Sequence, residues 1–309
     1  MKSMQSKGYL CALGAVFIWS GFILVSRQGG ISPLLPYDII AIRYVTCASL
    51  VLPFWLFWKR FNLLQTKLIV SSLIGGLAYA LFAFKGFEQA PASHAAVLLP
   101  GLLPISIAVL TTLISGERHS ASKWLGVGVI TLGIMVLFWQ QFSQSEGLSV
   151  GHLCLAGAAI CWAVFSVLIN RWDINPWEAT VSLAMITCVV YMPVYLLFLP
   201  KNISLDLMTD ISVQAFYQGI MATIIQMLLY VRAVQLIGAA RMGSMMAIVP
   251  ILAGFSAIPV FNEVLDIELV IALLLVSLGV CLANSQWLQR NLLQKTKAGR
   301  SSEVAAQNR

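Results

Sequence analysis

Trp162, Ser166 and Asn170 recur at i, i+4 and i+8, a spacing that puts all three on one face of a helix. Gly219, Thr223, Gln226 and Tyr230 form a second polar stripe of the same kind. What such groups can do is bind reversibly. Indole and phenol faces stack, while hydroxyl and amide groups hydrogen-bond a zwitterion or, alternatively, a neighbouring helix. Trp19 and Tyr79 extend the candidate set, as does Arg43, a cation set several residues into an apolar stretch. Arg43 could attract a substrate carboxylate, snorkel to an interface, or pair with Asp38. Bond-making chemistry finds no support, because the chain has no HExxH helix, P-loop or GxSxG elbow. His94, His119 and His152 lie at predicted loops or span edges, each without a second ligand nearby in the sequence. The six cysteines fall within apolar stretches and form no CxxC pair. No catalytic residue, metal site or cofactor is assigned.

The elements that must position these residues are set by composition. Of 309 residues, 59% are apolar and only 10% charged, against about 25% charged in a soluble domain. Such a chain cannot coat a water-facing surface, and it is equally far from the balance of a disordered one. A helix needs about 20 apolar residues to cross about 30 Å of hydrocarbon. Ten segments qualify: 8–27, 36–58, 66–88, 93–114, 122–141, 149–170, 177–199, 212–234, 241–261 and 267–288. Their runs are continuous rather than alternating, which selects helices over a barrel. The expected fold class is an all-α integral membrane protein of ten transmembrane helices.

The net charge of +7 does not point to nucleic acid, because the basic residues sit between apolar runs rather than in a stripe on a polar domain. With the N-terminus inside, 15 of the 19 Lys and Arg fall on the inner side, and only Arg27, Arg43, Lys85 and Lys201 do not. The positive-inside rule then places both chain ends in the cytoplasm.

The chain also resembles itself. Residues 8–19 match 151–162 at a shift of 143, and Gln89, Pro104, Ile105, Glu117, Leu132 and Gly133 match Gln235, Pro250, Ile251, Glu263, Leu278 and Gly279 at a shift of 146. Five spans per half is an odd number, so the halves are expected to be inverted relative to each other. The division reads 1–142 for the first repeat, 147–288 for the second and 289–309 for a basic cytoplasmic tail. Inverted repeats are a common architecture of secondary transporters. The repeat-matched Pro104 and Pro250 interrupt the backbone ladder and are candidate hinges, with Pro100 and Pro259 nearby. Gly126 and Gly133, paired with Ala272 and Gly279, predict a close seam between the fifth and tenth helices. Glu117 and Glu263 stand at helix ends, where capping or loop bracing is expected. Lys85 and Glu88, at i, i+3, predict a rim salt bridge.

Trp19, the small-residue run from Ala92 to Pro104, Gly116-Glu117-Arg118 and the Gly-rich stretch from Gly126 to Gly133 together resemble the drug/metabolite transporter superfamily, and within it the ten-helix EamA-type exporters. The resemblance spans about residues 8–288. It implies a ten-helix basket whose central cavity is lined by helices 1, 3, 4, 6, 8 and 9, with helices 5 and 10 packed together away from the substrate. It also implies export of amino acids or small metabolites across the bacterial inner membrane. Short multidrug members of the superfamily carry a proton-exchanging Glu in their first helix, and helices 1 and 6 here have no carboxylate.

The expected function is a secondary transporter, an exporter of amino acids or related small polar metabolites by alternating access. Efflux of amphipathic drugs is the alternative within transport, and a non-transporting scaffold or sensor is the alternative outside it. The expected partners are a small-molecule substrate and the lipid bilayer, with coupling to protons or a counter-substrate left open, and a monomer or homodimer as the assembly.

Overall fold

In the computed structural model, residues 2–143 and 148–284 are described. The proposed tail 289–309 lies outside them. Among the described residues, ten helices are long and apolar enough to cross a membrane: α1 Met4–Ile31, α2 Pro36–Phe57, α3 Thr66–Gln89, α4 Ala92–Ile114, α5 Ala121–Trp139, α6 Val150–Arg171, α7 Pro176–Phe198, α8 Leu205–Ile237, α9 Arg241–Phe261 and α10 Ile267–Asn284. No strand occurs among the described residues. The chain is a multi-pass membrane protein. α1 and α8 overrun the ten-segment reading by the most, because a hydrogen-bonded helix continues past the point where apolar sequence ends.

Contacts fix the direction of the helices. Gly8 at the start of α1 packs on Leu236 and Ile237 at the end of α8. Gly243 of α9 and Gly126 of α5 pack on Asn284 and Ala283 at the end of α10. We call this end of the bundle proximal. At the opposite, distal end, Gly30 of α1 packs on Phe87 and Glu88 of α3, and Gly151 of α6 packs on Gln89 and Ala90. α1 therefore runs toward the distal end and α6 away from it, and α4 and α9 likewise oppose each other.

The packing nearly maps onto itself when the halves are exchanged. α3 lies on α6 as α1 lies on α8; α4 meets α6 as α9 meets α1; α2 meets α8 as α7 meets α3; and α5 faces α10, α4 faces α9 and α2 faces α7. Among the described residues the exchange fails at two contacts: α4 packs along α10 whereas α9 makes no comparable contact with α5, and α1 packs along α3 whereas α6 makes no comparable contact with α8. Both α3 and α8 change to π-helical winding midway, over Leu73–Ala78 and Ala215–Ile225. π-Bulges inside α-helices are frequent at functional sites. Gly76 and Gly219, 143 positions apart, fall in these segments and admit close neighbours. A Cβ on Gly76 would lie 2.1 Å from Thr187 Oγ1 of α7, and one on Gly219 would lie 2.6 Å from Thr46 Cβ of α2.

The α5–α10 seam is built from backbone contact. A Cβ on Gly126 would stand 2.5 Å from the Ala283 nitrogen and 2.7 Å from the Gly279 oxygen. Small residues at seven-residue spacing allow this approach, as the sequence predicts. The candidate hinges behave differently from each other. α4 is continuous through Pro100 and Pro104 over Ala92–Ser115. α9 is broken, with helical pieces Ala239–Met245 and Ile248–Phe261 joined by a turn at Met246 and Ala247. The break lies one turn before Pro250, whose missing N–H leaves the carbonyl of residue 246 without its usual helical donor; the Val249 nitrogen donates to it instead at 3.1 Å.

Candidate functional site

A cavity of about 460 Å³ lies between the halves. Trp19 of α1, Pro100 and Pro104 of α4, Trp162, Phe165 and Ser166 of α6, and Gln226 and Tyr230 of α8 line it, and it reaches Lys123, Gly243, Ala283 and Asn284 at the proximal ends of α5, α9 and α10. It opens at the proximal end. Its walls are apolar apart from a few hydroxyl and amide groups and one lysine, the usual make-up of a small-molecule site.

Aromatic rings form the distal wall. Trp19 meets Trp162 edge-on at 6.4 Å, Tyr79 lies 4.9 Å from Trp162, and Phe165 lies 5.1 Å from it. Phe22 continues the layer between Trp19 at 6.4 Å and Phe87 at 5.8 Å.

The residues proposed from sequence divide by location. Trp19, Trp162, Ser166, Gln226, Tyr230 and Pro104 line the cavity. The Ser166 hydroxyl donates to the Trp162 carbonyl at 2.7 Å, which leaves its lone pairs toward the space. Tyr79 is buried behind Trp162 in the wall. Thr223 is buried and donates to the Gln218 carbonyl at 2.6 Å, serving the π-helical winding. Asn170 is exposed at the proximal end of α6, beyond the cavity. Pro250 is buried in α9 and does not line the space.

Arg43 neither snorkels nor pairs with Asp38. It is 4% exposed and its nearest acceptor is Gln218 Oε1, 3.4 Å from Nη1. Asp38 instead accepts from the Leu35 and Asn202 backbone nitrogens and the Tyr195 hydroxyl at 2.9, 3.1 and 2.6 Å. The histidines also depart from expectation. His94 and His152, 58 positions apart, are both buried with ring nitrogens 2.9 Å apart. No group of three metal-ligating side chains occurs among the described residues.

The distal end is tied shut. Arg27 donates to the Phe87 and Glu88 carbonyls at 2.8 and 2.9 Å, fastening α1 to α3. Lys85 and Glu88 form the expected rim ion pair. Glu263, at the end of α9, accepts from the Ala92 and Ser93 nitrogens at 2.6 and 2.8 Å. It therefore caps α4, in the other half of the chain, rather than the helix that follows it, and its negative charge meets the positive end of the α4 dipole.

Sequence reasoning missed Phe165, Lys123 and Asn284. Phe165 stands three residues beyond Trp162 on the same helix, which is a readable signal. Lys123 looked like a loop charge marking topology, and Asn284 sits at a span end. Only the packing of α5 against α10 turns them inward.

Comparison with known proteins agrees with the architecture. The sequence pattern of the EamA-like transporter family matches residues 6–139 and again 149–285. Two Bacillus subtilis (strain 168) proteins, uncharacterized transporters, are similar. YwfM is 33% identical over 42% of this chain and 45% of its own length, and YyaM is 24% identical over 89% and 93%. The aromatic amino acid exporter YddG of Ancylobacter novellus is 25% identical over 64% of this chain and 70% of that protein. A solved crystal structure superposes with a TM-score of 0.62 over 93% of this chain and 99% of that one, at 20% identity.

Proposed function

Because this chain belongs to the EamA-like transporter family, we propose that it exports amino acids or related small polar metabolites by alternating access of the central cavity to the two membrane faces. The observation that carries the reading is the cavity itself: a space of about 460 Å³ reached from one end and closed at the other by the aromatic layer and the Arg27, Glu263 and His94–His152 contacts. Trp19, Trp162 and Tyr230 offer faces for an apolar or aromatic side chain, and Ser166 and Gln226 offer polar partners. Tyr79 backs the wall, Thr223 supports the π-helical winding of α8, and Asn170 lies beyond the space at the proximal end of α6. A relative named as an aromatic amino acid exporter supports the substrate class.

We take the halves, 1–142 and 147–288, as inverted repeats. The matched sequence blocks, the odd number of spans and the opposed directions of α1 and α6 support this. Pro104 and Pro250 are the proposed bending points. The basic-residue asymmetry supports a plasma-membrane location with both ends, including the tail 289–309, in the cytoplasm, so the described conformation faces inward. Energy is taken from a proton or counter-substrate gradient, with the protein acting as a monomer or homodimer. The largely apolar walls also favour a second reading, efflux of amphipathic drugs.

Purified protein in liposomes, screened with labelled amino acids, nucleosides and cationic dyes with and without a pH gradient, tests the proposal. Saturable amino-acid flux that Gln226→Leu reduces at least tenfold in a folded protein supports it. Flux of dyes alone transfers it to drug efflux. No movement of any compound, exchange included, overturns it in favour of a scaffold or sensor.

A further inference from the structure

Arg43 is a fixed cation in the wrong place for a purely structural one. A guanidinium keeps its proton at any accessible pH. This one lies seven residues inside α2, 4% exposed. Among the described residues it has a single long hydrogen bond, to Gln218, and its Nε is buried without a partner. The rings of Phe22 and Tyr44 stand 5.6 and 5.7 Å from its charge centre. No Asp or Glu among the described residues lies within ion-pair distance of it. Burying a charge without a counter-ion is costly, and π-faces offset only part of that. An ionisable group held this way within a membrane span marks a ligand path.

Its surroundings are polar in a matching way. Gln218 is fully buried and donates through Nε2 to Ser26 Oγ at 3.0 Å. One turn earlier on α8, Gln214 is 1% exposed and donates to the Val25 carbonyl at 2.9 Å, while its Oε1 is buried with no donor. One orphan donor on a cation and one orphan acceptor thus sit around the α1–α2–α8 junction. The aromatic layer separates this cluster from the cavity: Trp19 and Trp162 line the space, whereas Phe22, Tyr79 and Arg43 stand behind them.

We propose that Arg43, with Gln218 and Gln214, forms a second subsite beyond the aromatic layer that takes the zwitterionic head of an amino acid. The carboxylate is received at Arg43 and the ammonium at Gln214 Oε1, once Trp19 and Trp162 part. The cavity is then the first station and this subsite the next on the distal half of the path. The inference rests on the transport reading and deepens it, because it makes the carboxylate the group that specificity requires.

The test uses the full chain and three labelled probes with one ring: L-phenylalanine, phenethylamine, which lacks the carboxylate, and 3-phenylpropionate, which lacks the amine. In liposomes, Arg43→Gln is expected to lower phenylalanine flux at least tenfold and change phenethylamine flux less than twofold, while Arg43→Lys stays within about threefold of wild type. Gln214→Leu is expected to raise the 3-phenylpropionate to phenylalanine ratio severalfold. If Arg43→Gln depresses all probes alike, or none, Arg43 is structural and the subsite is overturned. Where Arg43→Gln is not recovered folded, Gln214→Leu decides through its ratio: an unchanged ratio overturns the subsite. A wild-type chain that moves no probe sinks the transport reading. Thermal stabilisation by phenylalanine in chloride-free buffer then decides the subsite separately. Stabilisation of wild type and Arg43→Lys but not Arg43→Gln sustains it; stabilisation by chloride alone, or by nothing, overturns it.

Discussion

The two ends of the bundle carry matched residues and use them differently. At the distal end, Glu263 closes on the first two nitrogens of α4. Its repeat partner Glu117, 146 positions earlier, stands at the proximal end of α4 with its side chain 57% exposed and its carboxylate 3.7 Å from His119. α4 packs along α10, and among the described residues α9 makes no comparable contact with α5. α4 is unbroken and α9 is broken before its proline. Near-identical sequence signals therefore end in opposite contacts. The distal end takes the carboxylate cap and the proximal end goes without one.

Removing the wall between the ends has the largest expected effect. Trp162→Ala deletes the ring that meets Trp19, Tyr79 and Phe165. We expect a loss of about 2–3 kcal/mol, less than for a fully buried aromatic because Trp162 is partly buried, and at least tenfold lower flux. Thermal melting and liposome assays read both, and an unchanged flux would break the view that the layer divides the path.

The seam that joins the ends comes next. Gly126→Ala places a Cβ against backbone and should cost about 1–3 kcal/mol. Gly128→Ala, with open space at its Cβ, should change the melting temperature little. Equal effects would mean that the close backbone approach at Gly126 does not hold α5 on α10.

Glu263→Gln removes a charged cap worth about 1 kcal/mol. The sharper readout is access. In a chain with its native cysteines replaced, Ser93→Cys should be protected from an impermeant thiol reagent and become labelled severalfold faster when Glu263→Gln is added. Glu117→Gln should leave it protected. The same acceleration from both glutamates would erase the difference between the ends. Smallest of all, Lys85→Ala, at a half-exposed rim pair, should cost under about 1 kcal/mol.

The spans, the repeat and the α5–α10 seam were legible because hydropathy runs, block matches and small-residue spacing are local in sequence. Parts of the site were legible for the same reason. Trp19 and Trp162 are linked by the repeat, and Gln226 and Tyr230 by helical periodicity. Arg43 was visible as a charge out of place, but its surroundings were not, since Gln218 is 175 positions away. The His94–His152 pair and the cap from Glu263 to α4 join residues 58 and 171 positions apart. No local pattern announces such contacts.

By itself the sequence determined that the chain crosses a membrane ten times and is built twice over, because the cost of placing polar backbone and charge in hydrocarbon is settled residue by residue. Which residues share the cavity, which end is closed, and that Arg43 sits sealed behind tryptophans were decided only by the tertiary structure. Those outcomes depend on how helices from opposite halves meet, which no local stretch of sequence fixes.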